Sequence, residues 1–401
     1  MEINYKKPVE KWGEVIYDCG HCRICSLADY HKIGEALTIC PSGEYFGFEA
    51  YYPPGRNELV RGIIEGSVKP SNKALEVAFA CQVCNGCNAM CKPHTYFGFS
   101  IKDHSALYED LREALVLAGY IPEKHLEFGE WIEKDHNPYF ETHESRFDWL
   151  EEGLTRKDAE VLYFTGCTSS YRQKNIAKAT VNALNKAGVS FDVLREEEWC
   201  CGSPLLRTGQ REKAIEVARH NVEAIKKRGI KTVVTSCAGC YRTLKVDYPI
   251  LLGKRSVKFD VIHTSQLFVS MLDEKKVSLE NMGLDVTYHD PCHLGRHMEV
   301  YDKAVYEEPR DVLGLIANIH EMPRNRENAW CCGSGGGVKS AFPDFALWTA
   351  NERLKEVESV GVDTVVTACP FCVRNLGDAN EVFNKKLKVV DLIELVEKTL
   401  K

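Results

Sequence analysis

Apolar residues follow two different periods along the chain, and their alternation predicts the layout of its second half. From about residue 160 onward, short apolar or β-branched runs predict strands at 161–164, 232–235, 286–288 and 364–367. Between the first two runs, the apolar positions from Ile215 to Ile225 fall on one helical face, and Gly229 marks the end of that helix. Strands that alternate with helices predict parallel sheets of the α/β class. Ligands of such sheets lie beyond the carboxyl ends of the strands, so the loops after these runs are candidate site loops.

Residues 1–120 show a mainly helical pattern, including a predicted helix over 27–39, with little sign of strands. An acidic segment, 121–157, follows and is interpreted as a connector that packs on its neighbours through Phe128, Trp131, Phe140 and Trp149. The histidines of this connector, His125, His136 and His143, are interpreted as exposed polar side chains, with metal ligation as the alternative. The predicted units are 1–120, 121–157, 158–280 and 281–401.

The composition is that of an ordinary soluble globular protein, with 44% hydrophobic and 27% charged residues. Asp plus Glu outnumber Lys plus Arg by 58 to 51, which gives a net charge of −7 and argues against a nucleic-acid partner. The first residues contain no apolar leader, and no apolar run approaches the length of a membrane span. These features predict a cytoplasmic protein without a membrane span of its own.

The unusual feature of the composition is its 18 cysteines. Cytoplasmic thiols stay reduced, so cysteines at this density indicate metal ligands or catalytic groups rather than disulfides. Eight of them form two runs near the amino terminus: Cys19, Cys22, Cys25 and Cys40, then Cys81, Cys84, Cys87 and Cys91.

Three cysteines at three-residue spacing suit three corners of a cubane [4Fe–4S] cluster, whose fourth ligand comes from the other run in two-cluster ferredoxins. The predicted ligand sets are therefore crossed: Cys19, Cys22, Cys25 and Cys91 for one cluster, and Cys81, Cys84, Cys87 and Cys40 for the other. Zinc is the alternative, but zinc sites take two cysteines from each knuckle rather than three in a row. This arrangement resembles the helical ferredoxin domain of succinate dehydrogenase and heterodisulfide reductase subunits.

The other ten cysteines form an internal repeat, because five cysteines recur in the same order. The two copies are Cys167, Cys200, Cys201, Cys237 and Cys240, and then Cys292, Cys331, Cys332, Cys369 and Cys372. A repeat of this length indicates a duplicated domain rather than a solenoid. A thioredoxin-like dithiol is the alternative interpretation of each C-x-x-C pair, but it leaves the adjacent cysteines without a role.

A Cys-Cys-Gly sequence between an upstream cysteine and a downstream C-x-x-C resembles the CCG cysteine-rich domain family. Two cubane runs followed by two complete CCG domains resemble the D-subunit family of heterodisulfide reductases over nearly the whole chain. The resemblance implies that each CCG domain holds a noncubane [4Fe–4S] cluster through its five cysteines, which makes these ten cysteines the catalytic set. All 18 cysteines are then used, by two cubane and two noncubane clusters. The glycines that follow the second motif lack a phosphate-loop or dinucleotide-binding pattern, so we expect no flavin or nucleotide in this chain. We expect instead a close backbone approach, with N–H groups directed at cluster sulfur or an anion. These glycines are Gly333, Gly335, Gly336 and Gly337.

The resemblance implies an enzyme: the catalytic subunit that reduces a heterodisulfide such as CoM-S-S-CoB, with electrons relayed through the cubane clusters to the two noncubane clusters. Its expected partners are a small thiol or disulfide substrate and an electron-donor subunit, either a cytochrome b-type membrane protein or a soluble redox protein or flavoprotein. His293 is a candidate proton donor, or else an imidazole bonded to backbone. The arginines after the cysteine loops are either anion ligands or solvated: Arg207, Arg242, Arg296 and Arg374.

Two other functions share these parts. One is the iron–sulfur electron-transfer subunit of a glycolate or D-lactate oxidase, whose second CCG motif more often continues Ser-Ala-Gly than Ser-Gly-Gly-Gly. The other is a component of a membrane quinone-linked redox complex, which typically lacks one complete cysteine set. A purely structural role for the clusters is a further alternative, which a redox titration would separate.

Overall fold

The computed structural model of the chain, which describes residues 4–91 and 101–401, places helices first and two sheets afterwards. Within its described part, the region before residue 158 contains helices and turns, with a lone β-bridge between Leu27 and Thr38. The α-helices of this region are Lys7–Glu10, Tyr30–Ile33, Pro41–Phe46, Pro53–Glu65, Asn72–Phe79, Gly86–Met90, His104–Leu117 and Glu123–Asp135. The helical amino-terminal half is as expected.

The segment 27–39 differs from the predicted helix. Only Tyr30–Ile33 is helical, because the Asp29 carboxylate caps its start and Gly34 ends it at φ +81°. Ile33 and Leu37 are four residues apart, as on one helical face, but they lie on either side of the turn at Gly34 and pack with Ile39.

Two four-stranded parallel sheets follow, and their strand orders are equivalent. The first sheet contains β1 (Val161–Tyr163), β2 (Phe191–Asp192), β3 (Thr232–Thr235) and β4 (Asp260–His263), in the order β2-β1-β3-β4. The second contains β5 (Leu284–His289), β6 (Ala317–Ile319), β7 (Thr364–Thr367) and β8 (Lys388–Asp391), in the order β6-β5-β7-β8. Every strand pair is parallel, which confirms the duplicated α/β architecture.

Helices cover these sheets and bury their apolar faces. In Arg211–Lys227, Ala218, Val222 and Ile225 of the predicted stripe are buried and Ile215 is half-buried, and Gly229 follows the C-cap at φ +68°. The other α-helices of this half are Cys167–Tyr171, Lys174–Lys186, Ser203–Arg207, Ala238–Arg242, Tyr248–Leu252, Thr264–Asp273, Arg296–Glu299, Glu307–Ile316, Val338–Ala341, Pro343–Ser359, Pro370–Val382 and Leu392–Thr399. No helix among the described residues is both long and apolar enough to cross a lipid bilayer.

The two sheet regions share one continuous hydrophobic core. Buried residues of the first sheet, such as Leu162 and Val233, belong to the same cluster as Val286 and Val365 of the second. Helix Lys174–Lys186 of the first region packs on helix Leu392–Thr399 of the second. The two copies are thereby fixed in one orientation, which decides how their cysteine loops meet.

Candidate metal centres and the cavity between them

Four cysteines of the repeat follow the central strands of the two sheets, at the carboxyl ends of those strands. Cys167 follows β1, Cys237 follows β3, Cys292 follows β5 and Cys369 follows β7. All ten cysteines of the repeat line a single cavity of about 400 Å³. The duplicated fold thus brings the two five-cysteine sets to one place rather than to two separate pockets.

Residues at equivalent positions of the two copies are neighbours across this cavity. Cys237 and Cys369 occupy the same position in the repeat, and the Cys237 thiol lowers the pKa of the Cys369 thiol. Next to them, a Cβ on Gly239 of the first copy would lie 3.7 Å from Nδ1 of His293 in the second. The two sets therefore face each other across one cavity.

The glycine of each Cys-Cys-Gly motif has a geometric role. Gly202 and Gly333 adopt φ values of +85° and +87°, which residues other than glycine rarely adopt. In this conformation their N–H groups donate to the Sγ atoms of Cys200 and Cys331, at 3.5 and 3.4 Å. Each glycine thus turns the backbone so that the first cysteine of the pair receives a hydrogen bond.

The glycine run after the second motif packs against the amino-terminal half. A Cβ on Gly336 would lie 2.5 Å from the carbonyl oxygen of Cys81, and one on Gly337 would overlap the imidazole of His125. The expected close backbone approach is therefore present, and it joins the cavity wall to a loop that carries amino-terminal cysteines.

The amino-terminal cysteines lie in two further groups. Cys19, Cys22, Cys25 and Cys91 line one small cavity, here called the outer set. Cys40, Cys81, Cys84 and Cys87 line another, here called the inner set. The structure thus brings together the same crossed groups that ferredoxin spacing predicts, while their role as cluster ligands stays a prediction.

In space, the outer set lies nearest the surface, the inner set comes next, and the sets that line the large cavity follow. Cys22 of the outer set is exposed. Burial raises the pKa of the Cys25 and Cys87 thiols, and the proximity of Cys25 raises that of Cys87 further, so the outer and inner sets are neighbours. Cys331 of the second copy is a neighbour of Cys84 of the inner set and lowers the pKa of the Cys84 thiol to about 6.

Buried arginines that sequence reasoning missed surround these sets. Arg146, from the connector, directs its guanidinium at Cys167 Sγ, with N–S distances of 3.6 and 3.7 Å, and pairs with the buried Glu198 at 2.7 Å. Arg56 lies beside the inner set, with Nε donating to the Val77 carbonyl oxygen at 3.0 Å. Positive charge at these points favours thiolates and the negatively charged clusters that thiolates bind.

A third buried arginine ties the units together. Arg112 donates to the carbonyl oxygens of Cys81 and Arg207 at 2.6 Å and to that of Gly336 at 2.8 Å. These acceptors belong to the inner set and to both copies of the repeat. Nothing in the local sequence around Arg112 signals this role, since its partners lie far away along the chain.

The histidine and arginines predicted next to the cysteine loops differ in their contacts and charge. Burial lowers the pKa of His293 to about 3, so its imidazole is uncharged at neutral pH and is no ready proton donor. Arg207 pairs with Glu109 at 2.6 Å, Arg242 pairs with Asp247 at 2.9 Å, and the buried Arg296 donates to the Cys84 carbonyl oxygen. Of the four predicted arginines, Arg374 lines the cavity and forms no ion pair with a described residue.

The connector is more than a spacer, and three of its residues differ from expectation. His125 is wholly buried rather than exposed, and its Nε2 lies 2.9 Å from the Gly337 carbonyl oxygen. His136 stacks on Trp199 with a ring separation of 3.7 Å. Phe140, expected to pack on neighbours, contacts the Trp131 ring at a centroid distance of 5.6 Å, but it is 52% exposed and lines the cavity.

Comparison with known proteins agrees with this arrangement. The family described as "CCG: Cysteine-rich domain" matches residues 161–245 and 286–377. The D subunit of dihydromethanophenazine:CoB–CoM heterodisulfide reductase from Methanosarcina mazei is 43% identical over 394 residues, which cover 95% of this chain and 92% of the relative. The B subunit of a fumarate reductase (CoM/CoB) from Methanothermobacter marburgensis is 36% identical over 59% of this chain and 45% of the relative.

A solved structure of a hypothetical protein from Helicobacter pylori matches in fold, with a TM-score of 0.51 and 8% identity over 92% of this chain and 78% of that one. This likeness concerns the fold alone. The match to the D subunits from Methanosarcina species, in contrast, combines high identity with coverage of nearly the whole of both chains. The chain belongs to the D-subunit family of heterodisulfide reductases.

Proposed function

We propose that this chain is the catalytic iron–sulfur subunit of a heterodisulfide reductase-type complex, and that it reduces CoM-S-S-CoB or a similar mixed disulfide. The observation that carries the proposal is the single cavity of about 400 Å³ that both five-cysteine sets line. Reduction of a disulfide converts two sulfur atoms to thiols, and the two five-cysteine sets form two equivalent thiol-rich walls of this cavity. The relatives from Methanosarcina species are named as CoB–CoM heterodisulfide reductases, which agrees with this assignment.

The donor sets fit iron–sulfur clusters. Thiolate sulfur is the ligand that such clusters take from proteins. The amino-terminal sets also offer hydrogen bonds to sulfur, such as Gly43 N–H to Cys40 at 3.5 Å, and Asn57 Nδ2 to Cys19 at 3.2 Å. We infer cubane clusters at the outer and inner sets, noncubane clusters at the two sets of the repeat, and no flavin or nucleotide in this chain.

The reaction determines how many electrons and protons must reach a disulfide bound in the cavity. One disulfide, two electrons and two protons give two thiols. When bound, the clusters would supply the electrons singly, since [4Fe–4S] clusters exchange one electron at a time. The residues of the chain hold the disulfide in the cavity that both five-cysteine sets line.

The contact between Cys84 and Cys331 gives the second copy a direct connection to the inner set. The outer set lies next to the inner one and reaches the surface at Cys22. We infer that the electron-donor partner, either a cytochrome b-type membrane protein or a soluble redox protein or flavoprotein, docks there. Exposed apolar side chains of the same loop, Ile24 at 40%, Leu27 at 46% and Tyr30 at 59%, offer it a contact surface.

An anaerobic assay of the isolated holoprotein tests the function. Reduced viologen serves as donor and CoM-S-S-CoB as acceptor, in a preparation shown to contain about sixteen iron atoms per chain, the number for four [4Fe–4S] clusters. Viologen oxidation that depends on the disulfide is the expected result. Fully loaded protein that oxidises no viologen with this acceptor would instead support an electron conduit, such as a component of a glycolate or D-lactate oxidase or of a quinone-linked complex.

A further inference from the structure

The large cavity is lined by cations and not by acids. Its lining includes Arg172, Arg207, Lys339 and Arg374, whereas no Asp or Glu is among the described residues that line it. The chain as a whole carries a net charge of −7. The Arg, Lys, Asp and Glu residues at this cavity are therefore all cationic, which suits an anionic ligand.

These four cations are not equally free to bind a ligand. Arg207 donates hydrogen bonds to both Glu109 and Asp247, and Lys339 is held by Asp378 at 2.6 Å. Arg172 pairs with the partly exposed Glu141 at 2.6 Å. Arg374 forms no ion pair with any residue in the described ranges, so its charge is the least compensated at the cavity.

Arg172 and Arg374 both contact one aromatic ring. Their guanidinium carbons lie 4.9 and 5.1 Å from the ring centroid of Tyr139. Arg172 follows the Cys167 helix of the first copy, and Arg374 lies on the helix Pro370–Val382 of the second. The three side chains thus bridge both copies at the cavity mouth.

The connector fixes this arrangement. The wholly buried Asn137 accepts a hydrogen bond from the Tyr139 N–H at 2.9 Å and donates to the Glu141 carbonyl oxygen at 2.9 Å, which closes a tight turn. The Tyr139 hydroxyl lies 2.8 Å from Thr168 Oγ1, next to Cys167. Arg172 in turn donates to the Tyr139 carbonyl oxygen at 3.0 Å. The ring therefore gives both guanidinium groups a fixed support.

We infer that Arg172 and Arg374, placed by Tyr139, bind a sulfonate, phosphate or carboxylate group of the disulfide and so select acidic disulfides over neutral ones. The inference rests on the proposed function for the nature of the substrate. Guanidinium groups suit such oxyanions because their N–H groups bind two oxygens at once. Phe128, Phe140 and Phe371 also line the cavity and offer apolar contact to the remainder of the molecule.

The test uses two disulfides with the same two-carbon arms: 2,2′-dithiodiethanesulfonate, which carries two sulfonates, and bis(2-hydroxyethyl) disulfide, which is neutral. Binding to the oxidised holoprotein is measured by calorimetry without an electron donor, so no turnover occurs. The variants are Arg374→Gln and Arg172→Gln, with Arg374→Lys as the conservative form. Arg219→Gln, which removes an exposed arginine outside the cavity, is the matched control.

We expect Arg374→Gln to weaken binding of the sulfonate disulfide by about 10- to 100-fold and that of the neutral one by less than about 3-fold, with a smaller effect of the same kind for Arg172→Gln. Arg374→Lys should recover part of the loss, and Arg219→Gln should have no effect. Equal weakening of both disulfides would overturn the inference, since the charge would then act on the protein or its clusters rather than on the ligand. Iron content and electron paramagnetic resonance (EPR) spectra identify any variant that fails to fold or to load clusters.

Competition with ethanesulfonate and with ethyl phosphate separates the two anion classes. Displacement of the sulfonate disulfide from wild type, reduced in Arg374→Gln, supports the role of the two arginines and names the anion that they hold. Equal displacement from both proteins refutes it. If wild type binds the sulfonate disulfide but never reduces CoM-S-S-CoB, the proposed function fails while the anion site stands, so the two failures are distinguishable.

Discussion

Removing the positive charge of Arg146 is expected to lower the reduction potential of the cluster assigned to the first copy of the repeat. The guanidinium is buried, with N–S distances of 3.6 and 3.7 Å to Cys167. For unit charges 3.6 Å apart, an effective dielectric constant of about 20 gives an attraction of about 4–5 kcal/mol. An added electron is spread over the whole cluster, so we take roughly a third of this, or about 1.5 kcal/mol. That energy corresponds to about 65 mV for one electron.

The partner of Arg146 provides a variant of opposite sign. Glu198 is wholly buried, pairs with Arg146 and accepts hydrogen bonds from the backbone N–H groups of Thr165 and Gly166. Glu198→Gln keeps a hydrogen-bond acceptor but removes a negative charge, so it should raise the potential. Arg146→Lys keeps the positive charge and should shift the potential least.

The assay is a redox titration followed by EPR, with iron content measured for every variant. The cluster of the second copy serves as an internal reference, because the cysteine that Arg146 contacts belongs to the first set. Potentials of Arg146→Gln and Glu198→Gln that move in the same direction, or that both stay within about 15 mV of wild type, would refute the electrostatic argument.

Three further outcomes follow from the geometry. Cys332→Ser should abolish disulfide-dependent viologen oxidation and leave the EPR signals of the cubane clusters intact. Gly336→Ala, whose Cβ would lie 2.5 Å from the Cys81 carbonyl oxygen at φ +63°, should lower stability by about 2 kcal/mol or more, seen as a lower unfolding midpoint. Burial raises the pKa of Glu109 to about 8, so this carboxyl group ionises less readily in the folded chain than in the unfolded one. The free energy of unfolding should therefore decrease as the pH rises from about 4.5 towards 8. Glu109→Gln should make this decrease smaller.

Each outcome has a control and a contrary result. Full activity of Cys332→Ser would exclude a catalytic role for the second cysteine set. Gly377→Ala, in helix Pro370–Val382 with open space around its Cβ, should be neutral or stabilising, so equal loss in both alanine variants would contradict the packing argument. For Glu109→Gln, a melting temperature that keeps the wild-type pH dependence would assign that dependence to other groups.

Local pattern was enough to predict the central strands of both sheets, β1, β3, β5 and β7, and the grouping of the cysteine loops, but not the outer strands. The runs before Cys237 and Cys369 are β3 and β7, with the predicted bounds. Ligand sites of parallel sheets lie at the carboxyl ends of the strands, so cysteines that follow neighbouring strands are expected to meet. The segment 27–39 shows the limit of the method, because a turn at Gly34 produces the same apolar spacing as a helix.

The buried arginines could not be predicted, because their partners are distant in sequence. Arg112 bonds to carbonyl oxygens of Arg207 and Gly336, and the charge of Arg146 meets Cys167 only after the connector folds over the first sheet. An arginine in an acidic segment normally indicates a solvated surface. The same reason explains why the Tyr139 turn, which projects from the connector, gave no signal of its place at the cavity.

Duplication alone would give two identical half-sites, and the structure shows how the copies have diverged around a preserved contact. Cys237 and Cys369 occupy equivalent positions and are neighbours, so the two copies meet at equivalent residues. The surroundings differ: Arg146 lies beside Cys167 in the first copy, whereas His289 lies beside Cys332 and Cys372 in the second, where the first copy has the apolar Phe164. The contact with the inner set is made by Cys331 of the second copy. Two clusters with the same cysteine ligands but different charged surroundings would have different reduction potentials. Such a difference suits a site that electrons enter from one side and that reduces the two sulfur atoms of one disulfide in turn.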